Sequence, residues 1–374
     1  MVETWENAYS QLEDFIKINP NVRIKKHVIA IPADIRPEFY RLFDLVRNAF
    51  LEEKCQALLN EAKPLSTSYI KAAEILKNTT PISEIKLPLE LNWFLNDPID
   101  GLRRSFYNSL FDLLKGEIDL RTFENEAKQC ITNAFKFLFK LGYEKWIALS
   151  LINLIQPDKT LALPYDDIKM LCHEPEYDDK FGFLDKKLPD IEETKSIAFR
   201  LGEDAFMMAN LIAHSPKTNR YISIGADISD ATWSSEGVSD KREWIQIREL
   251  GKPLEPKDYW PDLVIYTDDK PKDISLVADF GRFCRPDIIV ECMEETNWYQ
   301  QGELEQVKHN YEFFKPYLGT YIVTRLPIPD NTHKEIMQKL TDNSKGFQPN
   351  INVLSVGYDQ TQLNPIIETL LSVK

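Results

Sequence analysis

Three glycine-dependent signatures are missing from this chain of 374 residues. There is no Gly-x-Gly-x-x-Gly and no Gly-Lys-Ser/Thr, so neither a dinucleotide fold nor a P-loop is encoded. No Gly-x-Ser-x-Gly elbow occurs either, which argues against an α/β-hydrolase. Cysteine is scarce: Cys55, Cys130, Cys172, Cys284 and Cys292 show no paired spacing. That excludes a disulfide framework and reads as reduced, mostly buried thiols in a cytoplasmic protein. Cys172-His173 is adjacent rather than spaced for zinc, and is read as structurally neutral. No apolar run approaches the ~20 residues of a membrane span. The first residues, Met1-Val2-Glu3-Thr4-Trp5-Glu6, are acidic, unlike a signal peptide. No internal repeat or low-complexity tract is present, and no membrane partner is expected.

What is present begins with two short segments. Trp260-Pro261-Asp262-Leu263-Val264-Ile265-Tyr266 and Arg285-Pro286-Asp287-Ile288-Ile289-Val290-Glu291-Cys292-Met293 each place a Pro-Asp step before an apolar, β-prone run. Each reads as a turn entering a buried strand. Glu291 falls where the second strand ends. Asp262 and Glu291, delivered by neighbouring strands, are the donors a magnesium ion needs beside a phosphate. Asp287 is the rival to Asp262, but it precedes Glu291 on the same strand and lies more than ~10 Å away at about 3.3 Å per residue. For either segment alone, an ordinary turn with a solvated acid is the plainer reading. A polar loop follows, and then Leu304, Val307, Tyr311 and Phe314 mark one apolar face of a helix. Gln306 and Lys308 sit on either side of that face. Tyr321-Ile322-Val323-Thr324 reads as the next strand.

In that order of strand, acidic end, helix and strand, the chain resembles the PD-(D/E)XK, or restriction-endonuclease-like, nucleases. It most resembles the branch expanded in cyanobacteria, over roughly residues 190–330. There the usual Glu-x-Lys lysine gives way to an apolar residue, here Met293, and a lysine on the next helix before a tyrosine takes over. Lys308 and Tyr311 match that pattern with a spacing one residue shorter. The resemblance implies Mg2+ (or Mn2+) on Asp262 and Glu291, with the Cys292 carbonyl and an acid from a preceding helix completing the shell. That helix is expected over about Ile191 to His214, stopped by Ser215-Pro216, and the acid carried over is Glu203. Lys308 would supply positive charge to the transition state, and Gln306 would orient the lysine or the water. The implied activity is metal-dependent phosphodiester cleavage of DNA, in a restriction, defence or mobile-element setting.

The remaining sequence frames this reading. A formal charge of −14 repels a polyanion and is the main argument against DNA as the partner. The basic clusters Lys241, Arg242, Arg248, Lys252 and Lys308, Lys315, Arg325, Lys334, Lys339 are both interleaved with acids. A catalytically inactive nuclease-fold protein, serving as a binding or scaffold subunit, is therefore the alternative. The expected class is α+β or α/β: an all-α N-terminal domain, then a restriction-endonuclease-like mixed sheet flanked by helices. The domains expected are 1–170 (helical, for interaction, oligomerisation or target recognition), a Pro-rich linker at 171–190, and 191–374. Helices are expected from Arg36-Pro37, from Asp97-Pro98 through Leu114, and from Phe123 to Ile155 with a break at Gly142. The stripe Phe135, Phe137, Phe139 reads as core. Glu243 to Arg248 reads as an edge-like strand, Asp330 to Leu340 and Leu363 to Leu371 as helices, and Ile351 to Val356 as a strand.

Overall fold

The computed structural model describes residues 4–25, 28–163, 190–199, 209–226, 244–246, 261–274, 278–279, 282–300, 302–341 and 350–372. The protein is of mixed α+β class, with helices in its N-terminal part and a mostly antiparallel eight-stranded sheet after them. Seven helices precede most of the sheet: α1 (Trp5–Ile18), α2 (Arg36–Lys54), α3 (Gln56–Thr79), α4 (Leu89–Asn96), α5 (Pro98–Leu102), α6 (Tyr107–Leu114) and α7 (Leu120–Ile155). Pro37 lies in the first turn of α2, where its missing N–H has no helical partner to lose. The helix expected from Asp97 to Leu114 is two. Asp97 Oδ1 caps the Ile99 N–H at 3.0 Å to start α5, and the Ser105 hydroxyl bonds back to the Leu102 carbonyl at 2.8 Å where it stops.

Helix α7 runs unbroken for 36 residues, contrary to the expected break at Gly142. A Cβ at Gly142 would lie 2.9 Å from Leu95 Cδ2 and 3.0 Å from Leu65 Cδ2, so this glycine serves close helix packing rather than a turn. The chain divides into two compact units, Met1–Ile70 with Leu89–Gly142, and Lys71–Pro88 with Tyr143–Lys374. The division falls inside α3 and α7; residues 164–189, which contain nearly all of the expected linker, lie outside the described residues. In the first unit Trp5 packs on Phe50 and Phe123 with ring centroids 5.4 and 5.3 Å away. Phe135 and Phe139 join the core as expected, but Phe137 is 59% exposed. A step of two residues turns a helix by about 200°, so three aromatics at that spacing cannot share one face.

The second unit is built on β1 (Lys159–Ala162), β2 (Glu192–Glu193), β3 (Leu211–Ser215), β4 (Arg220–Ala226), β5 (Leu263–Asp268), β6 (Ile288–Met293), β7 (Gly319–Thr324) and β8 (Ile351–Ser355). Their order across the sheet is β8-β7-β6-β5-β4-β3-β1-β2. The β6–β7 and β7–β8 pairs are parallel and the other pairs antiparallel. Parallel neighbours need a crossover, and α8 (Glu303–Phe314) and α9 (Asp330–Thr341) supply the two required. A last helix, α10 (Asn364–Leu371), follows β8.

One face of the sheet receives α8 and α9. Leu304, Val307, Tyr311, Ile336 and Leu340 pack with Met293, Ile322 and Ile351, while Phe313 and Phe314 pack with Val264 and Ile289. On the other face the Tyr321 hydroxyl meets Thr369 of α10 at 2.6 Å. Tyr143 of α7 donates to the Gly357 carbonyl at 3.3 Å. Cover on both faces explains why β6 and β7 read as apolar runs instead of alternating, and every residue of both is buried.

The helix expected over Ile191 to His214 is absent from its described parts. Glu192–Glu193 is β2, Ser196–Ala198 pairs in parallel with Glu84–Lys86, and Leu211–Ser215 is β3. Of the apolar residues counted as one helical face, Ile197 lies in one strand and Leu211 and Ile212 in another, while Leu201, Phe206 and Met208 lie outside the described residues. Trp244–Gln246 is an edge strand of a three-stranded sheet, as its alternation suggested. The expected helices near 330–340 and 363–371 and the strand near 351–356 are α9, α10 and β8.

Gly319 opens β7 with φ +121°, and a Cβ there would meet the Asn350 carbonyl oxygen at 2.6 Å. Gly319→Ala is expected to destabilise the protein by about 2 kcal/mol or more, since a non-glycine residue in that region carries strain before any clash. Urea unfolding of the variant beside wild type checks this, with a lowered midpoint at unchanged m-value as the expected result.

Candidate functional site

The site is set by register. In the β5–β6 pair Leu263 faces Val290, Val264 faces Ile289 and Ile265 faces Ile288. One step further along the same register, Asp262 stands across from Glu291. Residues facing each other across an antiparallel pair share a face and have Cβ atoms about 5 Å apart. The two carboxylates therefore belong to one side of the sheet, the side covered by α8. Pro261 precedes the strand, where the absence of an N–H costs no ladder bond.

The two Pro-Asp steps turn out to be symmetric. Asp262 Oδ2 accepts from the Cys292 backbone N–H of β6 at 2.7 Å. Asp287 Oδ2 accepts from the Thr267 backbone N–H of β5 at 2.6 Å. Each strand is thus led by an aspartate that clamps the far end of the other. Asp287 is 8% exposed, and its own N–H and carbonyl bond to Ile265 O at 3.0 Å and Leu318 N at 2.8 Å. It sits four residues from Glu291, about 13 Å along the strand. Asp287 is thus a structural clamp, and Asp262 is the acid next to Glu291.

Glu291 is 3% exposed. Its Oε1 accepts from Asn310 Nδ2 of α8 at 2.8 Å, and Asn310 Oδ1 accepts from Gln306 Nε2 at 3.0 Å. Asn310 itself is fully buried. Gln306 thus reaches Glu291 through Asn310, a residue the sequence reading passed over. Its signal was available: Asn310 lies four residues after Gln306, one helical turn on, beside the apolar face.

Lys308 is on the other flank. At about 100° per residue it lies about 160° around the α8 axis from Asn310. Its ammonium is 3.9 Å from Glu305, whose side chain is 76% exposed. Asp262 and Glu291 share one side of the sheet and Gln306 is linked to Glu291 through Asn310, whereas the ion pair of Lys308 is with Glu305. Met293, where the resemblance would place a lysine, is packed with Trp298, Leu304 and Val307. A cation fixed at this edge of the sheet is Arg325, whose backbone N–H donates to Met293 O at 2.9 Å and whose Nε donates to Glu294 O at 2.8 Å. Behind the strand, on the opposite face, burial holds the Tyr143 phenol well above its usual value. Cys292, Tyr358 and Glu294 push the same way, against Arg325. Tyr143 therefore stays a neutral donor that closes the sheet behind Cys292.

Glu203 lies outside the described residues. Among the described residues no group of three or more His, Cys, Asp or Glu is placed to hold a metal ion. What the structure offers is a two-carboxylate oxygen donor set, which by its hardness fits Mg2+ or Mn2+ and not a thiol-seeking metal. Each carboxylate has acceptor capacity beyond one hydrogen bond. No described helix is long and apolar enough to cross a membrane. Comparison with protein-family models, with curated proteins and with solved structures finds no match.

The symmetric clamps and the Lys308 flank make opposite expectations for stability. Asp287→Ala should cost about 1–3 kcal/mol, because it strands the buried Thr267 N–H without an acceptor. Lys308→Ala should move stability by less than about 1 kcal/mol, because its ion pair is long at 3.9 Å and its partner Glu305 is exposed. Paired urea titrations of the two variants test both values, and equal losses would refute the assignment.

Proposed function

We propose that the sheet-bearing unit is a restriction-endonuclease-like domain that performs metal-dependent phosphodiester cleavage, with DNA as the substrate class. The observation that carries this reading is the β5–β6 register with the Asp262–Cys292 bond, from which Asp262 and Glu291 share one side of the sheet at the carboxyl end of β6. Strand meander, acidic strand end, helix and parallel strand follow in the order the resemblance implies. Asp262 and Glu291 are the residues that would hold Mg2+ or Mn2+. When bound, such an ion acidifies a water and neutralises charge on the scissile phosphate. Asp262 is fixed by the Cys292 N–H, so its remaining lone pairs have a defined direction. Glu291 is kept from bulk water by its burial. The positive charge the resemblance assigned to Lys308 is not supplied from α8 in this geometry; Arg325 is the cation anchored at the strand ends. In this reading the helical N-terminal unit is the recognition or oligomerisation module, and the protein works in the cytoplasm.

A second reading rests on its own observation. Met293 fills the lysine position with an apolar contact, and Lys308 points to the far flank of α8. Those are the features of a nuclease fold kept as a binding or scaffold subunit.

Purified protein incubated with plasmid, linear duplex, single-stranded DNA and RNA, with Mg2+, Mn2+ or chelator, separates the two. Cleavage is expected to require metal and to fall in Asp262→Asn and Glu291→Gln by more than the ~10–100-fold that loss of an outer-shell partner costs. Lys308→Ala should cleave close to the wild-type rate. Cleavage that survives Glu291→Gln sinks the nuclease reading. Metal binding without cleavage of any of the four substrates favours the scaffold reading.

A further inference from the structure

We infer that Asn310 is a positioning residue for Glu291: a polarised amide relay, Gln306 to Asn310 to Glu291, fixes the direction in which the Glu291 carboxylate presents its oxygens. This deepens the metal-binding reading above and rests on it.

The relay has only one workable direction. Gln306 Nε2 donates to Asn310 Oδ1 at 3.0 Å, so the Asn310 amide nitrogen is the group left facing Glu291, to which it donates at 2.8 Å. Reversing the Asn310 amide would set its carbonyl oxygen against a carboxylate oxygen and its nitrogen against a donor, so both contacts would fail together. A hydrogen bond to a charged acceptor is worth roughly 1.5–3 kcal/mol, against about 1 for a neutral pair. The outer Gln306 link, a neutral bond, therefore gains its value by orienting the inner one.

Burial makes the orientation matter. Glu291 is 3% exposed and Asn310 is fully buried, so no bulk water replaces the donor if it is removed. A glutamate has three side-chain torsions, and the last is broad and soft. Strand β6 fixes where the side chain starts, because Glu291 faces Ile322 across the parallel seam and its neighbour Val290 faces Leu263 across the antiparallel one. Asn310 holds the carboxylate end, from a helix anchored by Leu304, Val307 and Tyr311 in the same core as Met293 and Ile322. The relay couples the packing of α8 to the presentation of one ligand oxygen. Asn310 touches neither substrate nor metal in this account; it acts through Glu291.

Isothermal titration of MnCl2 into wild type, Asn310→Leu and Gln306→Leu tests the relay without requiring turnover, with thermal melts in the absence of metal beside it. Leucine keeps the branched four-atom skeleton of asparagine, with somewhat larger volume, and removes the donor. The expected result is a Mn2+ dissociation constant raised about 10–100-fold in Asn310→Leu, the range seen when an outer-shell partner is lost, and a smaller rise in Gln306→Leu. Where cleavage is measurable, the Mn2+ concentration for half-maximal rate should rise while the rate at saturating metal holds. A purely structural role would lower the folded fraction and leave that midpoint in place. Unchanged Mn2+ affinity in a folded Asn310→Leu overturns the inference. Should Asn310→Leu not fold, Gln306→Leu carries the test, and its wild-type affinity would overturn it equally. If wild type binds no Mn2+, the metal reading fails at its own step and the positioning role falls with it.

Discussion

Between β5 and β6 each strand lends its leading aspartate to the backbone of the other. Asp262 closes on the Cys292 N–H at one end and Asp287 on the Thr267 N–H at the other. The register between those clamps decides what the sheet can do. Side chains in a strand alternate with period two, so a slip of one residue would send Glu291 to the Tyr143 side and bring Cys292 under α8. The apolar core alone would resist such a slip weakly, because β5 and β6 are apolar on both faces. Two aspartate–backbone bonds, one buried and one partly buried, each satisfied only in the native register, supply the specificity that the hydrophobic pattern lacks. The carboxylate pair is a consequence of the same clamp, since fixing Asp262 to Cys292 N places it opposite Glu291.

The three acids of this seam show how position sorts similar residues. Asp287 and Glu291 are both nearly inaccessible, and burying a carboxylate without hydrogen bonds is costly. Asp287 has its answer in the backbone, through Thr267 N. Glu291 accepts from a side chain, Asn310, on a helix reached only after a crossover. A backbone donor comes with the sheet at no sequence cost, whereas a side-chain donor must be specified at one position. Asp262, partly exposed, has a backbone donor and an opening to solvent. The pair thus combines one acid stiffened from below with one oriented from the side.

Much of this was legible in the residues. Pro-Asp followed by an apolar run marks β5 and β6 because proline suits a strand's first position and doubly covered strands need no alternation. The choice of Asp262 over Asp287 followed from strand rise alone. The helix face of α8 was legible too, as was the split of Gln306 and Lys308 to its two edges. Which edge meets the acid was not, because helical periodicity gives angles around an axis and not the rotation of that axis against the sheet. Asn310 was missed for a related reason: one polar residue beside an apolar stripe reads as boundary until a buried acid is found opposite it. The span 191–214 misled because Ile197, Leu211 and Ile212 were counted into one helical face with Leu201, Phe206 and Met208, whereas Ile197 lies in one strand and Leu211 and Ile212 in another. The Gly142 break failed because glycine was read for backbone freedom where its use is to admit Leu95 and Leu65.

The net charge of −14 bears on this reading differently from the way it first did. Charges on a surface are screened beyond about 8 Å at physiological ionic strength, so the total says little about the field at one sheet edge. At that edge the acids are those a divalent cation would neutralise, and Arg325 stands at the ends of β6 and β7. What the total does govern is encounter. Non-specific affinity for a polyanion comes from phosphates neutralised by Lys and Arg, and the number neutralised sets the salt dependence. With more acids than bases in total, affinity for a polyanion has to come from a local cluster of Lys and Arg, and the number of phosphates that cluster neutralises sets the salt dependence. In the proposed reading the chemistry of the site and the affinity for substrate are thus separable: the first would rest on Asp262 and Glu291, the second on whatever presents the substrate to them.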